Sequence, residues 1–230
     1  MKQGLVIWGA SGHALVVADI IRLVNAYQII GMIDDINPER AGLKFDGYEV
    51  LGGREALDSL WERQVRTMIV GFGNCRGRLQ VARFLRERGF RLATAVHPRA
   101  TVAADVSIGA GSVIVAGSVI NPAATIGENV IINTGSSVDH ECVIGDGVHI
   151  APGVHLAACV TVERGSWVGI GSVVKEGVHI GGDVMIGAGS VVLHDIPNGA
   201  LAYGVPARVV RQQVPADDCA TYQLGLKSCF

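Results

Sequence analysis

Aromatic side chains are scarce. Phe, Trp and Tyr make up 5% of the chain against a hydrophobic fraction of 49%. A core that rich in aliphatics and that poor in rings points to stacked strands joined by tight turns, not to a helical bundle. Cysteine is sparse and scattered: Cys75, Cys142, Cys159, Cys219 and Cys229 form no C-x-x-C pair. An odd set of this kind fits reduced thiols in the cytoplasm better than a disulfide framework. No charge of one sign dominates, since 19 basic and 21 acidic residues leave a formal charge of −2. Without a basic block, a nucleic-acid partner is not expected. No apolar run reaches the roughly 18 residues of a membrane span, so no membrane insertion is expected. The N-terminal "MKQGLVIWGASGHA" reads as a strand and turn, not as a secretion signal.

What the chain has in quantity is glycine, 31 residues of 230, a length that suits one large domain or two modest ones. Residues 1–98 alternate two kinds of segment. "GLVIWGA", "YQIIGMIDD", "RTMIVGFG" and "RLATAVHP" read as strands, while "GHALVVADIIRLV", "REALDSLWER" and "GRLQVARFLRERG" have helical spacing. Such alternation predicts a small parallel α/β sheet.

From residue 99 to 195 the period changes. Stepping by six from Val102 to Val192 meets an aliphatic residue at all sixteen positions. Two residues before each lies Ala, Val, Ser or Cys, and the residue after is often Gly, Ala or Asn, as a turn demands. Inward residues at two offsets of a six-residue period mark a hexapeptide β-helix. Three hexads make one triangular coil, so residues 18 apart stack at about the 4.8 Å strand spacing. Residues 196–230 form a C-terminal extension, of which the final stretch, from 212, is assigned no role.

The phase places the polar residues of "NTGSSVDHECVIGDGVHIAPGV". Val138, Ile144, Ile150 and Leu156 point inward, so His149 and His155 point outward on adjacent faces. His140 falls at a corner, stacked under Ala158, Glu176 and His194. Asn133 falls at a neighbouring corner. Asn133, His140, Glu141 and His149 are expected to decorate one edge of the prism and to gather a titratable base, an acid and an amide there. A histidine with an acidic neighbour is a common general-base arrangement near neutral pH. Sequence spacing leaves Asp139 and Glu141 both open as its partner. The turn "GASGHA" follows a strand and opens a helix, so its N–H groups can face phosphate.

Taken together, "GASGHALVVADII", "DD" after the second strand, "GFGN", "NTGSSVDHECVIGDGVHIAPGV" and "YGVPAR" resemble the nucleotide-sugar N-acetyltransferases, a family that includes sialic-acid O-acetyltransferase-like proteins. The resemblance covers about residues 3–211. It implies a Rossmann-like domain (1–98) on a left-handed parallel β-helix (99–195), assembled as a homotrimer with active sites between subunits. It implies acetyl-CoA as co-substrate, no metal, and a nucleotide-linked 4-amino sugar as acceptor, for bacterial surface glycan biosynthesis. Carried over by residue, His140 is the general base and Glu141 raises its basicity. Gly9, Ala10, Ser11, Gly12, His13, Asp34, Asp35, Gly73, Asn74 and Asn133 line the nucleotide-sugar pocket. His149 contacts the acetyl thioester, a backbone amide at Ala158 holds the oxyanion, and Ile170 and Ala188 bound the pantetheine arm. Ala158 stands where the family commonly has Gly, and Trp8 and Ser11 replace residues that are usually smaller.

Other classes fit less well. A dehydrogenase would use the turn and Asp34 or Asp35 for a dinucleotide, but the turn is not G-x-G-x-x-G and nothing supplies hydride chemistry. A metal hydratase would need His140, His149 and His155 as ligands, though the last two lie on different faces. A sugar O-acetyltransferase would use the same residues, and a non-catalytic nucleotide-sugar binder would release no thiol from acetyl-CoA.

Overall fold

The computed structural model describes residues 2–212, so Cys219, Cys229 and the unassigned tail lie outside the described residues. The first domain is a parallel sheet. Strand β1 (Gln3–Trp8) lies between β2 (Tyr27–Ile33) and the strand Thr67–Val70, with Arg91–Leu92 beyond. Both faces of β1 are covered, which is why it reads as one continuous apolar run. Leu5 and Ile7 pack with Ala14, Val17 and Ala18 of helix α1 (Gly12–Val24). Val6 and Trp8 face the other way, onto Leu57 and Leu60 of α2 (Ala56–Glu62) and Leu85 of α3 (Cys75–Glu87).

Two local readings are corrected. Helix α3 begins before "GRLQ" because the Asn74 side chain accepts the Gly77 N–H at 2.6 Å and caps it. The segment "RLATAVHP" is two strands, not one: Arg91–Leu92 closes the first sheet, and Ala95–Val96 pairs with Val113–Ile114 as the first rung of the solenoid. A short hairpin, Lys44–Phe45 with Tyr48–Glu49, was not legible from periodicity.

The second domain is a β-solenoid of two-residue strands in three sheets of eight, six and five strands. Each rung pairs with the one 18 residues on, as in the ladder Ile131, His149, Trp167, Met185. The aliphatic positions from Ile114 onward are buried and form one continuous core. Serines inside this core are satisfied: Ser112 Oγ donates to Gly127 O at 2.8 Å, Ser166 to Gly181 O at 2.6 Å and Ser172 to Gly187 O at 3.0 Å. A small residue is needed at that offset, and a hydroxyl is tolerated because a carbonyl of the next coil accepts from it.

Glycine has two distinct jobs at the corners. The left-handed residue is the third after the aliphatic one, as at Gly117 (φ 72°) and Gly153 (φ 64°). The glycine directly after the aliphatic residue serves close approach instead: a Cβ at Gly109 would lie 2.5 Å from the Gly127 carbonyl carbon. The simple turn reading of that position is thus replaced by a steric one. Beyond residue 195 the strand Leu201–Gly204 stacks on Met185–Ile186 and pairs antiparallel with Ala207–Arg211, closing the sheet.

The first domain docks on the face that carries His149. Ala93, Ala95, Val113, Val115 and Ile131 share one apolar cluster with α1. Buried Arg78 of α3 donates from Nη2 to the carbonyls of Gly147 (2.8 Å) and Val148 (3.2 Å) and from Nε to Asn129 O (3.1 Å).

Candidate active site

The polar residues expected on one edge occupy two. The corner between the Ser137–Val138 and Val143–Ile144 strands carries His140 and Glu141, with Ala158 one coil on. The corner between Ile131–Ile132 and Ser137–Val138 carries Asn133, and two and three coils on it carries Ile170 and Ala188. His149 lies on the face leading into this second corner. The single-edge expectation fails because three hexads complete a turn, so a seven-residue step from 133 to 140 moves one full corner.

On the first edge, His140 Nδ1 and Glu141 Oε2 are 3.0 Å apart, with side chains 53% and 62% exposed. This settles the partner of His140 by geometry. Asp139 is engaged elsewhere, accepting from Asn121 Nδ2 at 2.7 Å and from the His140 backbone N–H at 2.8 Å. Those hydrogen bonds, the Asn121 amide foremost, hold the Asp139 carboxyl below its usual range. Glu141 sits in the left-handed region at φ 60°, and Cys159, directly above it, at φ 58°. Each is placed where glycine would cost nothing, and a side chain there costs about 1–2 kcal/mol. Cys159 is exposed, with Sγ 3.8 Å from Glu141 Oε2. Desolvation, then the nearby Glu141 carboxylate, pushes its thiol up. The Ala158 N–H has no acceptor among the described residues, while its carbonyl accepts from Gly177 N–H at 2.9 Å.

On the second edge, His149 is 4% exposed. Its Nε2 is 3.1 Å from Asn133 Nδ2, and its Nδ1 is 3.4 Å from Gly73 O. Gly73 O can only accept and Asn133 Nδ2 only donate, so the proton is on Nδ1 and the lone pair on Nε2. Its ring lies against Trp167, centroids 4.0 Å apart. Burial, then the charge of Arg78, keeps the ring neutral by pushing its pKa well below the usual value. Both nitrogens are therefore engaged within the chain. Asn133 Oδ1 accepts the Thr134 N–H at 2.8 Å. Ile170 is 56% exposed and Ala188 is exposed, so this edge presents a small, apolar outer surface.

The first domain brings its turn toward the same edge. Gly9 follows β1 at φ 127°, where a Cβ would meet the Gly71 carbonyl at 3.1 Å. Ser11 is the N-cap of α1 and makes no side-chain cap bond, and Gly12 faces open space. The helix N-terminus carries no acidic residue in its first turn, which keeps it receptive to an anion. Ala10 is buried and gives its carbonyl to Arg40 Nη1 at 2.8 Å. The His13 ring lies 6.4 Å from that of His149, and its Nε2 is buried with no partner among the described residues. Burial, then Arg78, lowers its pKa to about 4.

The two acids after β2 are both hydrogen-bonded within the chain. Asp34 is buried and accepts from Asn37, from the Ile36 N–H and from Arg40 Nη1 at 2.9 Å, folding its own loop. Asp35 pairs with Arg54, whose Nε donates at 2.8 Å and whose guanidinium holds the carboxyl low. Asn74 is occupied as the α3 cap. Trp8 is buried edge-on against Phe84, centroids 6.0 Å apart, away from the α1 face. Of the three histidines weighed as metal ligands, His155 is bonded to Ser137 at 2.8 Å on another face, so the three do not converge.

Arg78 and Trp167 were missed. Trp167 was findable, being 18 residues after His149. Arg78 was not, because an arginine on an amphipathic helix reads as surface.

The family model for the PglD N-terminal domain matches residues 4–85, and that for the bacterial transferase hexapeptide (six repeats) matches residues 123–158. No curated protein matches the chain. Among solved structures, PerB from Caulobacter crescentus, in complex with CoA and GDP-perosamine, is 38% identical, with 90% of this chain and 96% of that one covered at a TM-score of 0.85. The acetyltransferase domain of PglB from Neisseria gonorrhoeae, in complex with acetyl coenzyme A, is 34% identical, covering 91% of this chain and 100% of that one at a TM-score of 0.85. WeeI from Acinetobacter baumannii is 26% identical, covering 91% and 100% at a TM-score of 0.81. The chain belongs to the acetyl-CoA-dependent sugar N-acetyltransferases that join a PglD-type N-terminal domain to hexapeptide repeats.

Proposed function

We propose that this protein transfers the acetyl group of acetyl-CoA to the 4-amino group of a nucleotide-linked amino sugar in the cytoplasm, for surface glycan synthesis, at sites shared between subunits of a homotrimer. The observation that carries the reading is the division of the site. One corner holds an exposed His–Glu pair 3.0 Å apart, and the next holds Asn133 beside a neutral, buried His149. A neighbouring subunit that apposes its first edge to this second edge brings a proton acceptor to the sugar end of the α1 turn.

In this arrangement His140 keeps its Nδ1 proton on Glu141, which leaves Nε2 as the base. Nε2 takes a proton from the amine as the new C–N bond forms and the C–S bond of acetyl-CoA breaks. Glu141 stabilises the imidazolium, and the unpaired Ala158 N–H faces the developing oxyanion. CoA leaves as a thiolate, so no covalent enzyme intermediate is required. Holding both substrates together lowers the barrier by about 7–11 kcal/mol, and the base adds about 10²–10⁴-fold. The α1 N-terminus, with Ser11 and Gly12, receives the diphosphate.

The test is a panel of nucleotide-linked 4-amino sugars and their 4-hydroxy counterparts with acetyl-CoA, followed by the acetylated product. His140→Ala is expected to lower kcat by about 10²–10⁴-fold with the KM for acetyl-CoA little changed. Turnover at the parental rate in that variant removes His140 from the chemistry. Acetylation of the hydroxyl series alone replaces N-transfer by O-transfer.

A further inference from the structure

Cys159 lies on the first edge, and neither the proposed chemistry nor the packing uses it. It is exposed, so it is no core thiol, and it occupies a left-handed corner that favours glycine. Its Sγ lies 3.8 Å from Glu141 Oε2, which lies 3.0 Å from His140 Nδ1, and the three donor atoms are all within 4.8 Å of one another. A tetrahedral zinc ion has bonds of about 2.0 Å to nitrogen and oxygen and about 2.3 Å to sulfur, which separates neighbouring donors by roughly 3.3–3.5 Å. The two contacts bracket that spacing, so a small shift of exposed side chains completes three ligand positions. A nitrogen, an oxygen and a sulfur suit a borderline-soft cation and not magnesium or calcium.

We propose that His140, Glu141 and Cys159 form an inhibitory site for Zn²⁺ or a similar borderline divalent cation, with the fourth position open to solvent. The ion takes His140 Nδ1 in place of the shared proton, and that proton reappears on Nε2. The Cys159 thiol releases its proton to solvent, so one proton leaves per ion bound. The Zn²⁺, thiolate and carboxylate then sum to zero charge. With Nε2 protonated and Nδ1 coordinated, the ring has no lone pair left for the attacking amine. The ion switches off the base without entering the reaction. The block rests on the reading of His140 as base, whereas capture of the ion does not.

The experiment uses the full chain with Cys219→Ser and Cys229→Ser, titrated separately with Co²⁺ and Zn²⁺. Transfer is followed as acetylated sugar, because free CoA thiol itself binds zinc. We expect one Co²⁺ per chain with a thiolate-to-cobalt charge-transfer band, and loss of acetylation with Zn²⁺ that EDTA restores. Cys159→Ser should keep metal-free turnover, lose the band, and raise the Zn²⁺ concentration for half-inhibition by at least about tenfold. Absence of the thiolate band, or equal zinc sensitivity in Cys159→Ser, overturns the site. A full band with undiminished acetylation overturns the inhibitory role, whereas the assignment of His140 as base stands or falls on the turnover of His140→Ala.

Discussion

Two inactive chains should rescue one another if each active site takes its two edges from different subunits. The first chain carries His140→Ala, which removes the base from one corner. The second carries Asn133→Ala with Ile170→Arg, which removes the amide and places a charged arm on the other. Neither chain loses a core side chain: the His140 side chain is 53% exposed and Ile170 is 56% exposed, and Asn133 is partly exposed. In trimers assembled at random from equal amounts, an interface is intact when its base comes from the second chain and its amide from the first. Two independent choices of one half each leave about one quarter of interfaces intact. Alone, the His140→Ala trimer should retain no more than about 1% of parental turnover. Co-expression with two different affinity tags, purification through both, and measurement of acetylated sugar would read the difference. Because doubly tagged trimers exclude the two homotrimers, their intact fraction rises to about one third, since every mixed trimer then has one intact interface of three. Rescue within a factor of two of that value fits the divided site. Mixed trimers no more active than their parents would show that one chain supplies both edges, and the interface reading would fall.

Two further expectations follow from the packing. His13 titrates near its ordinary value of about 6.5 when unfolded but at about 4 when folded. Between those values the unfolded chain binds a proton that the folded chain refuses, so stability falls as pH drops from about 6.5 to 4 and is unaffected above that window. The full loss from this group is about 3 kcal/mol, and urea unfolding of parent and His13→Gln across the window should show a shallower slope in the variant; equal slopes would contradict a buried, unpartnered Nε2. Gly169→Ala places a Cβ 2.6 Å from Ile186 O, whereas Gly153→Ala meets nothing within 4 Å and strains only its φ of 64°. The first should cost about 1–3 kcal/mol more than the second in thermal unfolding, and a reversed order would refute the division of glycine roles.

The six-residue period was fully legible, because side chains that alternate about a solenoid wall obey a strict phase, and a charge at those positions from Ile114 onward would be buried unpaired. The same phase correctly turned Val138 and Ile144 inward and His140 outward. Boundaries were less legible. Ala95–Val96 looked like the end of a sheet strand since two residues carry no period of their own. The hydrogen bonds of Asp34 and Asp35 to Asn37, Arg40 and Arg54 were not legible either, because local pairing of that kind leaves no mark on periodicity.

The sequence by itself determined the two architectures, the stacking neighbours 18 residues apart, and the outward placement of His140 and His149, all of which are fixed by short-range geometry. Only the tertiary structure decided which outward residues meet. Docking of the first domain buries His149 between Gly73, Trp167 and Asn133 and keeps it neutral, while His140 and Glu141 stay open one corner away. The difference arises because burial of a polar ring depends on a second surface arriving from residues 70 or more positions distant, and no local pattern encodes that encounter.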